Sequence, residues 1–322
     1  MKTTVKYVSA LVATALVAGG GAAAFAPVTA YTWWTELLVR AAGFASKTLE
    51  LPDGQLSYRQ AGRGPAVLLI HGFGANGVVS WRAQMTRLAK THRVIVPDLL
   101  WFGESQSQRA PTLSAQTDAM ESLIDHLDIG SVALVGVSYG GFVAMELAHR
   151  LAQRVSSMVI INSPGTVYRQ SDLDSLLARA SVSSAEALFI PEQPTDIARL
   201  LRMTLAEQPP IPIPTSVLEE MRNQYYVGRE DALRLLMRDL IDGREYYQAR
   251  MSGASWPRTE LIWGDHDQIF PLPIGLRLGE AIGAPVRVVP GAGHNLPVEK
   301  PKETTALLSS ILKPLTNGLH SR

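Results

Sequence analysis

The stretch Val132-Ala133-Leu134-Val135-Gly136-Val137-Ser138-Tyr139-Gly140-Gly141 decides how this chain is read. Residues 132–135 form a short β-rich apolar run, and Gly141-Phe142-Val143-Ala144-Met145-Glu146-Leu147-Ala148 continues as a helix. A serine at a sharp strand-to-helix turn needs small residues two before and two after it, because side chains there would collide with the turn. Gly136 and Gly140 stand at those two places. Such a turn lifts the Ser138 hydroxyl clear of the sheet and sets it beside a helix N-terminus, where a nucleophile belongs.

A nucleophilic serine needs a base, and the base needs an orienting acid. With an elbow of this kind the order along the chain is serine, acid, histidine. The chain has seven histidines. His71, His92, His126 and His149 precede or closely follow Ser138, His320 lies in a polar tail, and His266 sits inside the turn expected to hold the acid. His294 remains, in the loop Gly291-Ala292-Gly293-His294-Asn295 after the strand-like Val286-Arg287-Val288-Val289. The acid should follow the strand Glu260-Leu261-Ile262-Trp263, in Gly264-Asp265-His266-Asp267-Gln268-Ile269-Phe270-Pro271. Both Asp265 and Asp267 qualify. Asp265, next to Gly264, reads as a turn-capping residue; Asp267 is further past the strand end and better placed to reach His294. Acyl transfer also needs donors for an oxyanion. Ala66-Val67-Leu68-Leu69-Ile70 runs as a strand into His71-Gly72-Phe73-Gly74, so the backbone N–H groups of Phe73 and of Tyr139 are the expected oxyanion hole.

The segments His71-Gly72-Phe73-Gly74, Pro97-Asp98-Leu99, Phe102-Gly103-Glu104-Ser105, Gly136 to Gly141, Asp267 to Pro271 and Gly293-His294 resemble the α/β-hydrolase superfamily over about residues 50–315. Within it, the chain looks most like bacterial membrane-associated or secreted lipases and esterases related to monoacylglycerol lipases. The family often has Gly where Trp101 stands, so Trp101 is expected to narrow the pocket or to change a loop. The nucleophile is Ser, which argues against haloalkane dehalogenases and epoxide hydrolases, whose nucleophile is Asp.

Composition agrees with such a reading. A chain of 322 residues with 46% hydrophobic residues supports one large α/β domain with an insertion. A net charge of +1 leaves no electrostatic footprint for nucleic acid. There is no Cys, hence no disulfide framework, no thiol nucleophile and no Cys for lipid attachment. No metal-ligand spacing and no phosphate loop occur, so the expected chemistry uses neither cofactor nor metal.

Lys2 and Lys6 precede a charge-free stretch from Tyr7 to Thr35. Residues 1–30 therefore read as a signal peptide or membrane anchor, with Ala24-Phe25-Ala26 or Val28-Thr29-Ala30 suiting cleavage, and the rest is expected outside the cytoplasm, in the periplasm or cell envelope. Residues 31–48 carry an amphipathic helix over 31–46, whose Trp33, Trp34, Leu37, Leu38, Ala41 and Phe44 suit either a membrane interface or packing on the main domain. Removing residues 1–46 is expected to leave a soluble, active core. From Gln55 onward strands alternate with helices, which implies a mostly parallel sheet with helices on both faces, built from 49–163 and 257–316. Between them, residues 164–256 read as helical: Asp196–Leu205, Ser216–Tyr225 opened by a Ser216…Glu219 capping box, and Glu230–Ile241. The resemblance makes this insertion a cap over the elbow. Its Pro209, Pro210, Pro212 and Pro214 hold Ile211 and Ile213 on an extended strip that reads as a connector or as an acyl or lipid contact; Leu188, Phe189, Met203 and Met221 read as cap core.

Three functions fit this sequence. The first is a serine hydrolase of lipid-like or acylglycerol esters, working through an acyl-enzyme. A second is a C–C bond hydrolase or cofactor-free perhydrolase of the same fold. The third is a non-enzymatic receptor or scaffold, against which the full set of Ser138, Asp267 and His294 argues.

Overall fold

A computed structural model of the protein describes residues 26–313. Its centre is a nine-stranded sheet of β1 (Ser46–Leu51), β2 (Gly54–Ala61), β3 (Ala66–Ile70), β4 (Arg93–Pro97), β5 (Gln106–Ser107), β6 (Val132–Val137), β7 (Val155–Ile161), β8 (Arg258–Gly264) and β9 (Val286–Val289). Their order is β1-β2-β4-β3-β6-β7-β8-β9, with the short β5 on β2. Pairings from β4 through to β9 are parallel; β1 and β2 add an antiparallel edge. The chain thus folds as the expected α/β-hydrolase sheet.

The apolar strand runs are continuous because both faces of the sheet are covered. Side chains alternate between the two faces. Leu68, Ile70, Leu134, Met158 and Ile160 join one core, while Val67, Leu69, Val135, Val159 and Ile161 join the other. The first core also takes in α3 (Leu113–His126), α4 (Tyr139–Arg150) and the cap; the second takes in α1 (Pro27–Ala41), α2 (Gly77–Leu88) and the C-terminal helices.

Between β7 and β8 six helices replace the alternation: α5 (Gln170–Ala180), α6 (Ala185–Phe189), α7 (Pro194–Thr204), α8 (Thr215–Tyr225), α9 (Glu230–Asp242) and α10 (Arg244–Arg250). Three of them, α5, α6 and α10, add to those the pattern gives. The capping box at Ser216 is not formed. Helix α8 starts one residue earlier, with Pro214 as N-cap, so Ser216 falls within the first turn. Ile211 on the proline strip is 74% exposed and Ile213 packs on the core.

Residues 1–25, which hold most of the expected leader, lie outside the described residues. Helix α1 begins at Pro27, earlier than the pattern places it and inside the segment expected as leader, because proline at the first helical position needs no N–H partner. It buries Val28, Thr35 and Val39, turns Trp33, Leu37 and Leu38 outward, and ends before Phe44, which is fully buried in the following loop. Its N-terminus is held by the cap: the N–H groups of Val28 and Thr29 donate to Glu220 of α8 at 2.9 and 2.7 Å. Gln224 adds a hydrogen bond to Thr32. One face therefore packs and the other is open. Deleting residues 1–46 would strip Val39 and Phe44 from the core, so a truncation that keeps α1 is the better expectation for an intact domain. Among the described residues no helix is long and apolar enough to cross a membrane.

Candidate active site

Strand β6 ends at Val137 and helix α4 starts at Tyr139, so Ser138 makes the whole turn. Its φ of 52° and ψ of −121° lie outside the regions that L-residues favour. The flanking glycines are needed for contact distance. A Cβ on Gly136 would stand 2.3 Å from the Gly140 carbonyl oxygen, and one on Gly140 would stand 2.4 Å from that of Ile70. Tight packing of this kind is what holds the strained serine in place.

The structure brings Ser138, His294 and Asp267 into one chain of hydrogen bonds. His294 Nε2 is 2.8 Å from Ser138 Oγ, and His294 Nδ1 is 2.9 Å from Asp267 Oδ2. Asp267 Oδ1 accepts from the N–H groups of Ile269 and Phe270 at 2.8 and 2.9 Å. That leaves Oδ2 facing the imidazole, so Nδ1–H donates to it and Nε2 is free to accept from the serine. Asp267 and His294 are both buried, and the Phe270 ring stands edge-on to His294. Asp265 points elsewhere. Its carboxylate accepts from the N–H of Gly291 at 2.7 Å and pairs with His266 at 2.6 Å. These bonds outweigh desolvation and hold its pKa below the usual carboxylate value.

Phe73 and Tyr139 border the serine from two sides, their rings 5.9 Å apart and edge to face. Tyr139 is the first residue of α4, so its N–H has no partner within the helix. Gly72 lies against Ser138, where an added Cβ would be 3.2 Å from the serine Cβ. The loop is held by His71, which is fully buried. The Leu99 N–H donates to His71 Nε2 at 2.9 Å, and His71 Nδ1 donates to the Gly72 carbonyl at 2.7 Å. Burial lowers the His71 pKa, against the opposing pull of the Asp98 charge and the Gly72 carbonyl.

Two residues that sequence reading missed position these loops. Asn162 follows β7 with a left-handed φ of 47°. Its amide donates to the carbonyls of Gly293 and His294 at 3.0 and 2.8 Å and accepts from the Gly264 N–H at 2.9 Å, clamping the histidine loop to the acid strand. Its only sequence signal is an Asn-Ser-Pro turn after a strand. Glu299, also buried, accepts from the Ala206 N–H at 2.8 Å and so ties the cap to the segment behind His294. Burial pushes its carboxyl pKa up.

The cap closes over the serine and leaves a narrow, mainly apolar cleft. Phe73, Phe142, Leu176, Phe189, Met237 and Phe270 line much of it, with about 50 Å³ of free interior. Phe189 is thus a wall residue as well as cap core. Trp101 does not line the cleft. It occupies a left-handed turn, φ 67°, with its indole N–H donating to the Ser107 carbonyl, which is why glycine suits that place. Ile211 and Ile213 do not line it either.

These features define a family. A model of the alpha/beta hydrolase fold matches residues 65–301, and the chain belongs to that family. It is similar to a 2-hydroxymuconate semialdehyde hydrolase of Pseudomonas sp. (strain CF600), 27% identical over 263 residues that cover 78% of this chain and 88% of that one. Among solved structures it is similar to a bacterial membrane phospholipase A, at TM-score 0.75 and 24% identity over 95% of this chain and 97% of the other. A provisionally assigned lipase of Acinetobacter baumannii AYE gives TM-score 0.72 and 21% identity over 87% and 96%. At these identities the two structures speak for the fold alone.

Proposed function

We propose that the protein is a serine hydrolase of carboxylic esters, taking lipid-like or acylglycerol substrates. The observation that carries this reading is the hydrogen-bonded series Ser138–His294–Asp267 opening into an apolar cleft. Ser138 Oγ attacks the ester carbonyl while His294 Nε2 takes its proton and returns it to the leaving alcohol. Asp267 fixes the tautomer and balances the imidazolium charge. The N–H groups of Phe73 and Tyr139 receive the oxyanion. Water, activated by the same base, then releases the acid. The free interior of about 50 Å³ makes this a tight cleft for an acyl chain.

The rival is C–C bond hydrolysis, favoured by the 27% identity to the semialdehyde hydrolase. A panel of p-nitrophenyl esters and monoacylglycerols set beside a dienone acid decides between them. Turnover of the esters with the dienone acid untouched supports the proposal; the reverse overturns it.

The same reading places the enzyme at the outer side of a membrane, held by the uncharged N-terminal stretch and by the open face of α1. Trp33 is 62% exposed and Leu37 44%. Of the two cleavage positions, the one after Ala26 leaves α1 intact, while the one after Ala30 would remove the residues bound to Glu220. A chain starting at Pro27 should sediment with anionic phospholipid vesicles and lose that binding on Trp33→Ser with Leu37→Ser; equal sedimentation of both would count against the α1 contact.

A further inference from the structure

The cap side of the cleft carries buried polar atoms with no hydrogen-bond partner among the described residues. Tyr168 is 5% exposed, and its hydroxyl has no hydrogen-bond partner; neither has Arg244 Nη1, which is buried as well. Both residues line the cleft, together with Gln248 one turn further along α10. Two of the three are tied to each other, since Gln248 Nε2 donates to the Tyr168 carbonyl at 2.7 Å. Arg244 Nη2 donates to the side chain of exposed Gln170 at 3.1 Å, which sets the guanidinium between cleft and surface. The acids of α5 are engaged elsewhere: Asp172 with Arg277, and Asp174 with Gln170. A buried donor without an acceptor costs stability, and most native structures hold few of them.

The open valence of Arg244 is a donor, and the Tyr168 hydroxyl is free to donate alongside it. Burial and the Asp172 charge raise the Tyr168 pKa, so its hydroxyl stays protonated throughout the physiological range. A guanidinium has no acceptor capacity and matches the oxygens of carboxylate or phosphate. The neighbouring wall, with Leu173, Leu176 and Met251, is apolar. A fully hydrocarbon substrate would leave both donors unpaired, whereas an anion would satisfy both. We propose that Arg244, Tyr168 and Gln248 form a recognition site for an anionic group of the substrate, a carboxylate or a phosphate, held on the cap side of the cleft while the ester lies at Ser138. This rests on the ester-hydrolase reading and specifies its substrate class. The anion belongs either to the acyl part, as in a half-ester of a dicarboxylic acid, or to the alcohol part, as in an acylglycerol phosphate.

Two matched pairs test it on the full chain and on Arg244→Gln: p-nitrophenyl hydrogen glutarate against p-nitrophenyl butyrate, and an acylglycerol phosphate against the monoacylglycerol of the same acyl length. The variant should lower kcat/KM for the anionic member of at least one pair by about tenfold or more and change the neutral members less than about threefold, as expected when a charge-assisted bond is lost. Loss confined to the glutarate assigns the anion to the acyl part, and loss confined to the phosphate assigns it to the alcohol. Arg244→Lys should recover part of the loss, and Tyr168→Phe should show a smaller loss of the same kind. Equal effects on all four substrates, in a variant with an unchanged melting temperature, overturn the proposal. If Arg244→Gln melts early, Tyr168→Phe decides instead: a loss for an anionic member and not for its neutral partner supports the proposal, and equal effects overturn it. Binding separates this inference from the ester reading. In Ser138→Ala, hexyl phosphate should bind at least about tenfold more tightly than hexan-1-ol, and Arg244→Gln should remove the difference. A protein that turns over no ester yet shows that preference keeps the anion site and loses the ester reading. Absence of the preference together with ester turnover does the opposite.

Discussion

The carboxyl ends of the strands and the inner face of the cap bound the same cleft, yet they treat their polar groups in opposite ways. At the strand ends the sets around the acid, the base and the oxyanion loop are closed, while Ser163 Oγ and Glu299 Oε1 beside them have no partner among the described residues. Asp267 uses one oxygen on two backbone N–H groups and the other on His294, Asn162 bonds both loops that carry the acid and the base, and His71 uses one ring nitrogen on the oxyanion loop and the other on the Leu99 N–H. On the cap side Tyr168 and Arg244 keep open donors; Tyr139, beside the serine at the start of α4, also keeps an unpartnered hydroxyl. Closed sets hold geometry to within the few tenths of an ångström that proton transfer demands; open donors are what a specific substrate can still fill. Chemistry and recognition are thus divided between two parts of one fold.

The comparison breaks first at the acid. Asp267→Asn should lower kcat by about 10⁴ by presenting the wrong imidazole tautomer, the size of effect known for such a change in serine hydrolase triads. Asp265→Asn, which disturbs only the Gly291 turn and His266, should stay within about tenfold. Steady-state kinetics on p-nitrophenyl butyrate would check both, and the reverse ranking would move the acid to Asp265.

A smaller effect sharpens the closed side. Burial lowers the His71 pKa, so below its ordinary value near 6.5 the unfolded chain binds a proton that the folded one refuses. Stability therefore falls as pH drops through that window, by at most about 1.4 kcal/mol per pH unit for one proton. His71→Gln should be less stable than the parent at pH 7.5 but lose less on acidification to pH 5.5. Urea unfolding at the two pH values would measure the difference; equal losses would remove His71 from the account.

How much could be read from residues alone follows the same division. The sheet was legible because its strands are unbroken apolar runs, and the elbow because backbone contact at Gly136 and Gly140 leaves room for glycine alone. His294 emerged by elimination, and Asp267 by its distance past the strand end. The edge strand β1, Ser-Lys-Thr-Leu-Glu-Leu, escaped notice because it is half-exposed and carries little apolar pattern. In the cap, α10 is too short and too polar for a periodicity to declare it, α5 carries Leu173, Leu176 and Ala180 at helical spacing and went unread, and Pro27 moved the start of α1 by a rule of helix starts rather than of hydrophobicity. Asn162 was invisible because a turn asparagine looks alike whether it caps a strand or clamps two loops. Arg244 and Tyr168 meet only through the tertiary fold, 76 positions apart along the chain (244 − 168).

Ser138, activated by His294, is proposed to form a covalent acyl-type adduct. Incubation with a fluorophosphonate followed by intact-mass and peptide mass spectrometry tests it directly. The account predicts one equivalent of label, located on Ser138, absent from Ser138→Ala and much slowed in His294→Ala. Label on another residue, or unchanged labelling of Ser138→Ala, would contradict it.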